Sequence, residues 1–110
     1  MGQYLYQLSY TSESLAAMVR EPQDRLETAA RPVLEAIGGR LLGGGFSFGE
    51  YDVVLLFEAP DDESAAAVAL AVGAGGTIKS AQTTKLLSGD QWLSSLGQAG
   101  AVAKAYKPAR

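Results

Sequence analysis

Three carboxylates and a phenol gather around one short stretch of this chain. Phe48-Gly49-Glu50-Tyr51-Asp52 sets Glu50, Tyr51 and Asp52 side by side, and Glu58 follows six residues after Asp52. A carboxylate can serve as general base, and a tyrosine as proton donor, when burial or a neighbouring charge moves its protonation into the working range. Spacing limits that use. Asp52 and Glu58 share strand parity, but six extended residues separate them by roughly 20 Å, so they form no carboxylate pair within one subunit. Asp52 and Tyr51 are therefore the candidate catalytic residues, with Asp52 as a lone acid at a cavity mouth. Each has a plainer reading. Asp52 can be a hairpin acid in water or bonded to turn amides, and Tyr51 can be an anchor packed under helices with its hydroxyl at the rim. Gln7, Ser9, Phe46, Phe48 and Trp92 are candidate ligand-pocket residues. The two phenylalanines would give a flat apolar wall, Gln7 and Ser9 polar contacts, and Trp92 a lid or a latch onto a partner. Ordinary packing is the alternative for each.

Other chemistries are excluded by composition. The 110 residues contain no cysteine and no histidine, which removes disulfides, thiolate nucleophiles, thiolate metal sites, a proximal haem ligand and the commonest general base. No metal site and no cofactor are expected. Gly43-Gly44-Gly45-Phe46-Ser47-Phe48-Gly49 fits neither GxGxxG nor GxxxxGK[ST], so no nucleotide fingerprint is present. Ser12, Ser14 and Ser64 lack an activating histidine, and nothing supports Lys79 or Lys85 as a Schiff-base lysine. The net charge of −3 is unevenly spread: residues 1–75 hold eleven acids and four bases, and residues 76–110 hold one acid and five bases. The basic end, with Lys104, Lys107 and Arg110, reads as a solvated terminus, and the acidic body argues against nucleic acid. The longest apolar run, Ala65–Gly76, is too short to span a bilayer. The opening residues lack the basic region of an export signal, so a cytoplasmic location is expected.

The elements that must position these residues alternate regularly. Gln3–Tyr10 reads as a first strand with Tyr4, Tyr6, Leu8 and Tyr10 on one face and Leu5, Gln7 and Ser9 on the other. Thr11 or Ser12 caps a short helix striped by Leu15, Met18 and Val19, which Pro22 interrupts. Helical periodicity resumes at Asp24, is kinked or broken at Pro32, and ends at Gly38-Gly39. A second strand spans about 40–48, where the glycine triplet predicts a bulge or a close backbone approach. A third spans 51–59, with Tyr51, Val53, Leu55 and Phe57 under the helices. The FGEYD stretch becomes the hairpin between them, with Gly49 supplying turn geometry. A second helix, capped by Asp61, covers 62–72 and is apolar nearly all round, as a helix buried on more than one side would be. Strand four spans about 77–87, a helical stretch surrounds Trp92, Leu93 and Leu96, and the remaining tail is weakly patterned.

This order is β-α-β-β-α-β plus a C-terminal appendage: an α+β, ferredoxin-like antiparallel sheet with helices on one face. The domain is expected over 1–87, with a helical extension and tail over 88–110. The uncovered face would mix Val54 and Leu56 with Asp52, Glu58, Gln7 and Ser9. A half-apolar face on a thin sheet is poorly left in water. Two such faces packed together would close a dimeric α+β barrel with small polar-lined cavities. The segment SFGEYDVVLLFEAPDDESAAAVALAVGAGG, together with YLYQLSYT, Gly38-Gly39 and TIKSAQTTKLL, resembles the GYD-domain family over about residues 3–87, with Glu50 inserted in the Gly-Tyr-Asp reading. That resemblance implies a dimeric α+β barrel and carries over no catalytic residue. The expected function is a small cytoplasmic homodimer, or a multiple of dimers, with a small-ligand cavity on its open sheet face. The alternative is a cofactor-independent monooxygenase or isomerase acting on an aromatic or lactone-type molecule. An ACT-like regulatory domain is a third reading, less expected of a free-standing chain. Neither membrane nor nucleic acid is an expected partner.

Overall fold

The computed structural model describes residues 1–109; Arg110, counted above with the basic end, lies outside the described residues. The chain runs β1 (Gly2–Tyr10), α1 (Ser12–Arg20), a π-helical turn (Leu26–Ala30), α2 (Arg31–Ala36), β2 (Arg40–Phe46), β3 (Val53–Ala59), α3 (Asp62–Ala74), β4 (Ile78–Leu86) and α4 (Gly89–Ala105). The strands form one sheet in the order β2-β3-β1-β4 with every neighbouring pair antiparallel. This is the ferredoxin-like arrangement predicted from the element order.

The alternation in the sequence is the alternation of the sheet. Buried and half-buried residues alternate without exception along β3, and Tyr4, Tyr6 and Leu8 of β1 are buried beside Val53, Leu55 and Phe57. Register explains why both strands face the same way: Tyr4 pairs with Phe57, Tyr6 with Leu55 and Leu8 with Val53. The Tyr4 and Phe57 rings stack at 5.4 Å. Leu34 of α2 with Ala65 and Val68 of α3 closes this core from the helix side.

Local chemistry fixes the element ends. Thr11 caps α1 by accepting the Ser14 amide, Asp61 caps α3 by accepting the Ser64 amide, and Ser88 and Gln91 form a capping box that starts α4. Pro32 does not break its helix. It occupies the first turn of α2, where a missing amide hydrogen is tolerated, and the wide turn before it bonds the Arg31 amide back to the Leu26 carbonyl. The glycine triplet does make a bulge, between Leu41 and Gly43. Gly44 adopts φ +145°, and a Cβ there would stand 2.4 Å from the Val54 carbonyl oxygen, so the backbone approach admits no side chain.

Four features differ from expectation. β2 stops at Phe46 and β3 starts at Val53, so Tyr51 and Asp52 lie in the connecting loop and escape strand parity. Gly49 is not among the positive-φ glycines, so its contribution to that loop is not a left-handed turn. α3 is buried only at Ala65 and Val68, while Leu70 is 73% exposed. α4 is longer than the stretch around Trp92: the alanine-rich segment after Gly97 has high helix propensity and continues it to Ala105. No residue of α4 is buried. The molecule measures 58 × 35 × 22 Å, and its radius of gyration of 17.5 Å exceeds the ~13 Å of a compact domain this size.

Candidate functional site

The FGEYD loop is stitched to the sheet by its own short polar groups. The Ser47 amide donates to the Asp52 carbonyl and the Asp52 amide donates to the Leu8 carbonyl, each at 2.8 Å. The Asp52 carboxylate accepts the Tyr10 amide at 2.8 Å, at the end of β1 where the β1–β4 register shifts. Ser9 donates from its hydroxyl to the Glu50 carbonyl at 2.6 Å, and it is the buried polar residue of the described chain. Asp52 thus anchors a strand end, close to the amide-bonded reading of the sequence. Tyr51 does not pack under the helices. Its hydroxyl donates to Gln82 Oε1 at 3.0 Å, and Gln82 is opposite Gln7 on the uncovered face. The reason is that β3 begins two residues later, leaving Tyr51 free to turn the other way.

The structure divides the five pocket candidates. Phe46, Phe48 and Asp52 meet Leu15, Met18 and Val19 of α1 in an open groove of about 420 Å³. Gln7 and Ser9 belong to the opposite face of the sheet, and Trp92 stands 58% exposed on α4. Phe46 shares the helix side because it pairs with Val53 across β2 and β3. The phenylalanines and the polar pair therefore cannot line one cavity within a subunit.

A more enclosed cavity lies between the sheet and the helices. Tyr6, Leu8, Val53 and Leu55 form its floor, Ala30, Val33, Val68 and Val72 its roof, and Tyr10, Arg25, Thr77 and Ile78 complete its wall. Thr77 is exposed and Arg25 half-buried, which marks where it opens. Its volume is about 70 Å³, room for roughly five waters or one small ring. The π-helical turn supplies Leu26, Ala29 and Ala30 to this wall, and such turns often mark functional sites. Tyr6 is 2% exposed, and its hydroxyl has no hydrogen-bond partner among the described residues. Burial pushes its pKa above the ordinary tyrosine value, so the group stays protonated and remains a donor. An unpaired buried hydroxyl costs about 1–3 kcal/mol, and a ligand acceptor would relieve that cost.

The other convergence of ionisable groups is a latch. Tyr4 donates to Asp62 Oδ1 at 2.6 Å, Lys85 donates to the same oxygen, and the Lys85 ammonium stands 5.6 Å from the Tyr4 ring centre. Bonds from Lys85 and then Tyr4 hold the Asp62 carboxyl below its usual range. The bond to Asp62, then burial, raises the Tyr4 phenol, and the same carboxylate raises Lys85. Each shift favours the resting protonation state, so Lys85 is no nucleophilic amine and Tyr4 no base. The trio ties the start of α3 to β1 and β4.

Among the described residues no group of histidine, cysteine or carboxylate side chains could hold a metal ion, and no helix is long and apolar enough to cross a membrane. The GYD-domain family model matches residues 4–96. The chain belongs to the GYD-domain family. A search of curated proteins finds no match. The match to this GYD domain covers the sheet from Tyr4 onward and the first half of α4, including Tyr6, Arg25 and the FGEYD loop.

Sequence reasoning passed over Tyr6 and Arg25. Tyr6 is one of three tyrosines that share a face of β1 with Leu8, a pattern of ordinary sheet packing, and Arg25 has the character of a surface charge beside the helical segment that resumes at Asp24. No local signal separates Tyr6 from Tyr4 and Tyr10 on the same strand face.

Proposed function

We propose that this GYD-domain chain is a small-ligand-binding module that works as a homo-oligomer, with the ligand held in the cavity between sheet and helices. The observation that carries the reading is the apolar cavity of ring size with Tyr6 in its wall, the Tyr6 hydroxyl being buried and without a partner among the described residues. A water there would find few polar partners, whereas a ring bearing one acceptor oxygen would fill the space and take the hydrogen bond.

The oligomer completes the uncovered face. Leu5, Val54 and Leu56 are only half-buried there, and Trp92, Leu93, Leu96 and Val102 of α4 are exposed. A second copy packed sheet to sheet would cover the first set, and its body would offer the projecting helix a partner. Native mass spectrometry should therefore give a dimer or a multiple of dimers at micromolar concentration. Calorimetry should show saturable binding of a neutral ring-sized probe, benzyl alcohol, that Ala30→Leu abolishes by filling the cavity while the fold survives. A monomer would remove the oligomer half of this reading, and probe binding unaffected by Ala30→Leu would remove the cavity half.

Catalysis without a cofactor, as in a monooxygenase or isomerase, is supported by the same hydroxyl. Held protonated in a dry pocket, it would donate to an oxygen anion developing on an aromatic or lactone-type substrate. Turnover of candidate quinols with dioxygen uptake, lost in Tyr6→Phe but kept in Asp52→Asn, would favour that reading over binding alone.

A further inference from the structure

The cavity wall carries one charge. Arg25 precedes the π-helical turn, lines the cavity and is half-buried. Among the described residues it belongs to no ion pair, whereas Arg31, Arg40 and Lys85 each have a carboxylate within 4.0 Å. Its one side-chain bond, to Gln23 Oε1, is long at 3.3 Å. Arg25 lines the lip of an apolar cavity, and its fork of donors, uncommitted to a carboxylate among the described residues, suits a planar anion held at that mouth.

We propose that the ligand is a small ring carrying a carboxylate at one end and an acceptor oxygen at the other. The ring fills the cavity, the carboxylate pairs with Arg25, and the Tyr6 hydroxyl donates to the second oxygen. This rests on the cavity being the ligand site and adds the chemical class of what it takes. The excess of acids over bases across residues 1–75 makes the body a poor general attractor of anions, so selectivity for a carboxylate must come from a local cation. The aliphatic and aromatic walls explain why the anion must bring a ring: a free inorganic anion would leave the cavity empty and the Tyr6 hydroxyl unpaired.

The probes are 4-hydroxybenzoate and its neutral counterpart 4-hydroxybenzyl alcohol, titrated calorimetrically into the intact chain. The acid is expected to bind at least tenfold more tightly. Arg25→Gln should erase that difference without changing the melting temperature, and Arg25→Lys should restore part of it. Tyr6→Phe should weaken both probes alike. Raising the salt concentration should weaken only the acid. Equal affinities, or a preference that survives Arg25→Gln, would overturn the carboxylate assignment while leaving the cavity as a site for neutral rings. No binding by either probe would overturn both.

Discussion

The two faces of this sheet are built from adjacent residues and have opposite characters. On the helix side, Tyr4, Tyr6, Leu8, Val53, Leu55 and Phe57 are each exposed by 6% or less, and the space left between them and the helices is an apolar cavity. One position away, Leu5, Val54 and Leu56 are half-buried among Gln7, Gln82 and Glu58, and the FGEYD loop is fastened to one end of that face through Ser9 and Tyr51. The covered face has finished its packing except at one hydroxyl. The open face has finished its hydrogen bonds at one end and left its aliphatics for something else to cover. A ligand and a protein partner are thus expected on opposite sides of the same strands.

The largest test of that contrast compares neighbours in sequence. Phe57→Ala removes a fully buried ring stacked on Tyr4 and should cost about 3–5 kcal/mol in denaturant unfolding. Leu56→Ala should cost ~1 kcal/mol or less when the protein is dilute, because the side chain is already partly in water. If a second copy covers this face, the Leu56 penalty should grow with protein concentration. Equal penalties for the two variants at every concentration would erase the distinction between the faces.

Asp52 comes next. Asp52→Ala deletes the acceptor of the Tyr10 amide and should destabilise by about 1–3 kcal/mol, with Asp52→Asn milder because it keeps an acceptor oxygen. A loss confined to ligand binding, with unchanged stability, would return Asp52 to the catalytic role first considered for it.

Tyr6→Phe should move in the other direction, raising stability by about 1 kcal/mol in urea unfolding as an unpaired buried hydroxyl disappears. Its ligand affinity should fall at the same time. A drop in stability would mean that the hydroxyl already has a partner.

The smallest effect is the pH dependence of the latch. The Asp62 carboxyl is held low, so its contribution is present above the ordinary carboxylate value of ~4 and is lost as pH falls through its lower folded value. The Tyr4 phenol is held high, so its contribution is present below ~10 and is lost as pH rises through its higher folded value. Melting temperatures between pH 2 and pH 7 should fall on the acid side in the native chain and less so in Asp62→Asn. Identical acid profiles would show that the exposed Asp62–Lys85 pair adds nothing measurable, as many surface ion pairs do.

Much of the fold was legible in the sequence because strand alternation, caps and glycine breaks are local signals. YLYQLSY and VVLLF declare their two faces by period alone, and Thr11, Asp61 and Ser88 each stand beside the amides they cap. The site was less legible because its parts come together only through register and helix packing. Phe46 looked like a companion of Ser9 until its pairing with Val53 put it on the other side of the sheet. Tyr51 looked like a strand residue until β3 was found to begin at Val53. Tyr6 matters because the helices bury it without offering a partner, and neither burial nor the missing partner has a signature in the neighbouring residues.

The most direct test uses methyl-labelled leucine and valine, since neighbours on β3 report opposite faces. Titrating benzyl alcohol into the intact chain should shift Val53, Leu55, Val68 and Val72 while leaving Leu5, Val54 and Leu56 in place. Shifts confined to Leu5, Val54 and Leu56 would contradict the cavity beneath the helices and put the ligand on the open face.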